Sequence, residues 1–166
     1  GKSLIEKMAR VPVDVDVASE FRYRDPVFLP GDLVVIVSQS GETADTLAAL
    51  RLAKRNNVPT LAIVNVVGSS IAREADYVLY TWAGLEIAVA STKAFFVQMA
   101  VFFLLALKLA ELRQSRSEED RNGLLEDFLK IPDLVQHGLE HPGDCKLLAS
   151  KLQNSHNLRY RGRGLD

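Results

Sequence analysis

LVVIVSQSGET, Leu33 to Thr43, decides how this chain folds. Its first part, Leu33 to Val37, is an unbroken apolar run rich in β-branched residues. A strand with one face in water alternates apolar and polar side chains. A strand covered on both faces does not, so this run points to a parallel sheet flanked by helices. The second part, Ser38-Gln39-Ser40-Gly41-Glu42-Thr43, is polar and rich in hydroxyls. It opens onto Thr43 to Asn56, where Ala44, Leu47, Ala48 and Leu50 form an apolar stripe at helical spacing. Asn56, Asn57 and Pro59 then give a stop signal before the next apolar run, Thr60 to Val66. Strand, polar corner, helix and strand make a βαβ unit.

Two further runs, Val11 to Val17 and Tyr77 to Thr81, are mostly apolar and read as strands of the same sheet. Between Val67 and Asp76, Ser69 and Ser70 are candidate caps and Ile71 and Ala72 a short helical face, which returns the chain for another parallel strand. After the turn Trp82-Ala83-Gly84, a long helical pattern from Glu86 to Leu112 is apolar on nearly all sides, as suits an interior or an interface. Its most apolar part, Ala94 to Ala110, is interrupted by Gln98 and Lys108 and falls short of the roughly 20 residues that span a bilayer. It is expected to be a buried helix.

Beyond Leu112 the texture turns polar. Ser117 is a candidate N-cap before Glu118, Glu119 and Asp120, whose charges suit a helix start. Leu124, Leu125, Phe128 and Leu129 give that helix one apolar face, and Pro132 interrupts it. Gly143 precedes a last helix carrying Cys145, Leu148, Ala149 and Leu152 on one side. The tail Leu158 to Gly164 reads equally as a strand or as a solvated end.

Apolar residues make up 48% and charged residues 25% of the 166, ordinary values for a soluble globular domain. Twenty basic and twenty-one acidic side chains leave a net charge of -1, so no global field gathers nucleic acid or anionic membrane, and neither is expected as a partner. Cys145, the single cysteine, has no disulfide partner and no metal-ligand spacing around it, and a buried, inert thiol is expected. Gly1 to Arg10 carries charges where a signal peptide needs an apolar core, so the expected address is cytoplasmic. No cofactor or metal is called for. The polar corner matches neither the P-loop nor the dinucleotide fingerprint, and Gly1-Lys2-Ser3 lacks the strand and glycines that would make it a P-loop end.

What the corner does suit is phosphate. The first turn of a helix leaves amides without intrahelical partners at its partly positive end. Ser38, Ser40 and Thr43 add short donors, and Gly41 permits a close approach or a positive φ. A single Ser or Thr there would be explained by helix capping. Three hydroxyls, a glutamine and a glycine exceed that need. A second strand-to-helix corner, Trp82 to Lys93, offers Glu86, Ser91, Thr92 and Lys93 beside the small Ala88 and Ala90. Helix capping and tight packing explain these residues about as well as ligand binding does, and Lys93 reads as a solvated charge.

Four blocks carry a resemblance: VASEFRYRDP at Val17 to Pro26, SQSGETADTLAALRLAK at Ser38 to Lys54, NVVGSSIAREAD at Asn65 to Asp76 and EIAVASTKAF at Glu86 to Phe95. They closely resemble the first sugar-isomerase (SIS) domain of the glucosamine-6-phosphate synthase family. That resemblance implies a three-layer αβα, flavodoxin-like parallel sheet lacking its usual first strand. It implies a domain over residues 1–112, a helical connector over 113–157, and in 158–166 a strand like the start of a second such domain. It further implies that Ser38, Gln39, Ser40 and Thr43 hold the phosphate of fructose 6-phosphate or glucosamine 6-phosphate, and that Val89, Ala90 and Ser91 line the sugar. The family couples glutamine-derived ammonia to fructose 6-phosphate and isomerises the product.

The resemblance places the glutaminase, its nucleophilic cysteine and the enolising glutamate and ring-opening lysine outside these residues; Cys145 matches none of them. Catalysis by the chain alone is therefore not expected, and no catalytic residue is assigned. The family's first strand would lie between Val11 to Val17 and Leu33 to Val37. Leu158 to Gly164 is expected to pair there, within one chain or across a homodimer. A phosphosugar-sensing module attached to a DNA-binding domain and an inactive fragment are the alternatives; no basic recognition helix favours the former.

Overall fold

The computed structural model describes residues 1–85, 91–140 and 142–157. Three parallel strands form the sheet: β1 (Val34–Ser38), β2 (Thr60–Val64) and β3 (Tyr77–Tyr80), in the order β1-β2-β3. Val34 pairs with Thr60 and Leu61 with Tyr77 at the start of each ladder. The central strand is buried at every position, as its unbroken apolar run requires. The α/β class expected from Leu33 to Thr43 is what the chain adopts.

Helix α3 (Ala44–Arg55) connects β1 to β2, and α4 (Ser70–Glu74) connects β2 to β3. Both cover the sheet face formed by Ile36, Ala62 and Val64, where Ala49, Leu50 and Ile71 are buried with them. The buried stripe of α3 is Ala49, Leu50 and Ala53, rotated from the expected one; Ala44 and Ala48 instead line an open cleft with Arg22, Tyr23, Arg51 and Arg55. Helix α2 (Ala18–Phe21) rests on α3.

Val11 to Val17 is not a strand. Pro12 supplies no donor, and the carboxylates of Asp14 and Asp16 accept from the N–H groups of Val15 and Val17 at 3.0 and 2.8 Å. Arg24 binds both aspartates. Val11 and Val13 are spent instead on a second core formed by α1 (Lys2–Ala9) and α5 (Lys93–Leu112). There Ile5, Met8 and Ala9 meet Ala106, Leu107 and Ala110, and the Ser115 hydroxyl donates to the Met8 carbonyl at 2.7 Å.

Helix α5 departs from expectation. Only Ala94, Ala106, Leu107 and Ala110 of its 20 residues are buried, while Phe95, Phe96, Leu104 and Leu112 face outward. By length and composition alone it reaches the dimension of a membrane-crossing helix. One stripe nonetheless packs against α1, which leaves the remaining apolar surface as the uncovered side of a packed helix.

Helices α6 (Glu118–Leu129), α7 (Ile131–Leu139) and α8 (Pro142–Leu152) follow. Ser117 caps α6 as expected, its hydroxyl accepting from the Asp120 amide at 3.1 Å. Phe128 stacks on Phe103 at 4.9 Å, which docks α6 on α5. Cys145 is exposed on α8, not buried, because α8 has no buried residue at all. Among the described residues β1 has a neighbour on one edge only. The segment expected to fill its other edge, Leu158 to Gly164, lies outside them.

Candidate functional site

Ser38 ends β1 and Thr43 is the N-cap of α3, so the segment between them turns at the carboxyl end of the sheet. Gly41 has φ +69, the left-handed region that side chains disfavour. Ser38, only 8% exposed, accepts the Gly41 amide at 3.0 Å, and Ser40 accepts the Glu42 amide at 3.3 Å. The carbonyl of Gly41 accepts from Ile71 at 3.0 Å, and the Glu42 carboxylate accepts from the Ser70 amide at 2.7 Å. The corner is thus bolted to α4. Its Ser70 partner holds the Glu42 carboxyl below the usual glutamate range.

The amides of Ser40, Thr43, Ala44, Asp45 and Thr46 find no acceptor among the described residues. The Thr43 hydroxyl is exposed and makes no capping bond. Among the described residues Ser38 accepts one hydrogen bond and donates none, which leaves its proton available to a ligand. Unfilled amides at a helix N-terminus, supplemented by hydroxyls, are built to take an anion. The adverse charges nearby are occupied: Arg22 holds Asp45 at 2.8 Å, and Glu42 is turned to Ser70. The structure brings Ser38, Gln39, Ser40 and Thr43 together in one turn, with Ser38 buried beneath it and Gln39 and Ser40 half-buried.

The second corner is described in part. Ser91 is exposed just before Thr92, the N-cap of α5, and Lys93 donates to the Leu85 carbonyl, so it is not merely a solvated charge. Val89 and Ala90 lie outside the described residues. No group of three or more acidic, histidine or cysteine side chains suited to a metal occurs among the described residues.

Asn65 joins the two corners and was not legible in the sequence. It directly follows β2 and donates its amide N–H to the Gln39 carbonyl at 3.2 Å. Its side chain accepts from Thr81 at 3.1 Å and from the Ala83 amide at 2.8 Å, and donates to the Gly84 carbonyl at 2.7 Å. These partners lie 16 to 19 positions along the chain, beyond the reach of any local pattern.

A parallel βαβ sheet with an amide-rich turn at the carboxyl ends of its strands defines an α/β domain of the open-sheet class, with its candidate site at the end of the sheet where such folds take ligands. Residues 1–108 match the SIS domain family, and the chain belongs to it. A glutamine–fructose-6-phosphate aminotransferase (isomerizing) of Clostridium tetani is 52% identical over all 166 residues, which cover 27% of that protein. The corresponding protein of Chlorobaculum tepidum is 51% identical over 164 residues, 26% of its length. The solved C-terminal domain of glucosamine-fructose-6-phosphate aminotransferase from Francisella tularensis is similar at a TM-score of 0.88 and 42% identity, over 92% of this chain and 44% of that one. The chain spans about a quarter of the length of the curated relatives it matches.

Proposed function

We propose that this chain binds a phosphosugar, its phosphate seated on the Ser38 to Thr43 turn, as the first isomerase domain of a glutamine–fructose-6-phosphate aminotransferase. The observation that carries the reading is the set of unfilled amides at Ser40 and Thr43 to Thr46 beside the available hydroxyls of Ser38 and Thr43. A phosphate ester brings several acceptor oxygens and up to two negative charges, which such donors satisfy with charge-assisted hydrogen bonds. The names of the relatives support fructose 6-phosphate as a ligand, and glucosamine 6-phosphate is proposed beside it. Val89, Ala90 and Ser91 are the residues proposed to line the sugar.

Turnover requires a group that moves a proton at the sugar carbon. No described residue at the turn offers one, since Glu42 and Asp45 are committed to Ser70 and Arg22. The proposed role is therefore binding, with the chemistry completed by segments that the longer relatives carry. The uncovered side of α5 supports a homodimer as the working unit.

Calorimetric titration with fructose 6-phosphate, glucosamine 6-phosphate and unphosphorylated fructose tests the reading. Heat of binding is expected for the two phosphate esters and not for fructose. Replacing Ser38 and Ser40 together by Ala should lower affinity about tenfold or more, the scale of one charge-assisted bond. Equal affinity in wild type and double variant would refute the site, and rapid formation of glucosamine 6-phosphate from ammonia by this chain alone would refute the binding-only role.

A further inference from the structure

Asn65 is placed where two parts of the site must keep a fixed separation. Its backbone N–H holds the carbonyl of Gln39 in the phosphate turn, while its side chain holds Thr81, Ala83 and Gly84 after β3. Backbone chemistry fixes how the amide group points. Ala83 offers an N–H, which only donates, so the oxygen must face it; Gly84 offers a carbonyl, which only accepts, so the nitrogen must face that. Only a carboxamide supplies both at once from one planar group. Aspartate would set negative charge against the Gly84 carbonyl, and an aliphatic residue would release all three partners.

The held segment leads directly into the second corner. Trp82 within it has φ +55, an uncommon backbone state for a residue with a side chain, and it persists because its neighbours are fastened on both sides. At the far end Lys93, the first residue of α5, donates to the Leu85 carbonyl. The described residues after β3 are therefore tied to the sheet through Asn65 and to the start of α5 through Lys93.

We infer that Asn65 is a positioning residue which sets the distance from the phosphate turn to the segment after β3, and thereby makes the site select a sugar phosphate over bare phosphate. This rests on the phosphosugar reading above. Among the described residues Asn65 bonds neither the unfilled amides nor the hydroxyls of the turn, so loss of its side chain spares the phosphate seat while releasing the segment after β3. A displacement of about 1 Å is enough to cost a positioned ligand much of its affinity.

Calorimetry on the 166-residue chain with fructose 6-phosphate and with inorganic phosphate separates the outcomes. In Asn65→Ala, phosphate affinity should change by less than about twofold while fructose 6-phosphate affinity falls about tenfold or more, one lost hydrogen-bonded contact in free-energy terms. Thr81→Val, nearly isosteric, removes one of the three side-chain bonds and should shift selectivity the same way by a smaller factor, so the question is answered even if Asn65→Ala unfolds. Parallel losses for both ligands, or no loss in either variant, would overturn the inference while leaving the phosphosugar reading intact. A wild-type chain that binds neither ligand would remove both.

Discussion

Gly41 and Ser69 are packed so closely that no side chain fits between them. A Cβ added to Gly41 would lie 2.1 Å from Ser69 Oγ and 2.5 Å from its Cβ. Ser69 cannot simply swing away, because it is buried and its hydroxyl caps α4 by accepting the Ala72 amide. Gly41→Ala should therefore cost at least about 1–3 kcal/mol, combining positive-φ strain with the clash, and should abolish phosphosugar binding. Adding Ser69→Gly removes the clash but not the strain, so partial recovery of stability in denaturant unfolding is the expected result. Full stability in Gly41→Ala alone would show that the turn adapts freely.

Asp76 predicts an acid limb. Lys54, at 2.7 Å, and then the Thr60 hydroxyl and amide lower its carboxyl to about 2. An aspartate in an unfolded chain titrates near about 3.9. The folded pKa is the lower one, so the stabilisation is fully present above about pH 4 and is lost as pH falls toward 2. Asp76→Asn should be less stable at neutral pH and show a flatter decline between about pH 4 and 2. Denaturant midpoints across that window provide the measurement, and parallel wild-type and variant curves would remove Asp76 from the account.

Two hydroxyls of the turn should separate in their effects. Ser38 accepts the Gly41 amide, so Ser38→Ala is expected to lose about 1 kcal/mol of stability together with affinity. Thr43 makes no capping bond, so Thr43→Val should weaken phosphosugar binding with little change in thermal midpoint. If Thr43→Val were to destabilise the fold as much as Ser38→Ala, its hydroxyl would have a structural duty that the geometry does not show.

The outward side of α5 predicts self-association. Phe96 is 69% and Leu104 45% exposed on a helix whose covered stripe meets α1. Sedimentation velocity should reveal a concentration-dependent dimer, and replacing Phe96 and Leu104 by Ser should shift it toward monomer. A wild-type monomer at all concentrations would leave that surface without the proposed role.

Cys145 stands exposed on α8, so a soluble thiol reagent should label it stoichiometrically in the native protein, at the same rate with and without denaturant. Protection in the native state would mean that α8 is covered in solution.

The sheet was legible where one principle governed alone. Leu33 to Val37, Thr60 to Val66 and Tyr77 to Thr81 announce strands because continuous apolar runs suit little else of that length, and the hydroxyl-rich turn after the first announces itself by composition. Val11 to Val17 misled because its aspartates cap their own following amides and pair with Arg24, a competition invisible in a hydrophobic pattern. Cys145 and α5 misled for another reason, since burial depends on which surfaces meet and not on how apolar a segment is. Asn65 was silent because each bond of its side chain is tertiary.

The hydrogen bond from Ser115 to Met8 spans 107 positions, and the helices it secures are almost as far apart. During synthesis at about 5–20 residues per second, α1 leaves the ribosome roughly 5–20 s before α5 is complete. For that interval Ile5 and Met8 have no mate, while β1, α3 and β2 already hold everything needed to nucleate locally. Of the two cores, the one built on α1 is assembled across the longer stretch of chain, so the apolar face of α1 waits longer for its cover than the sheet does.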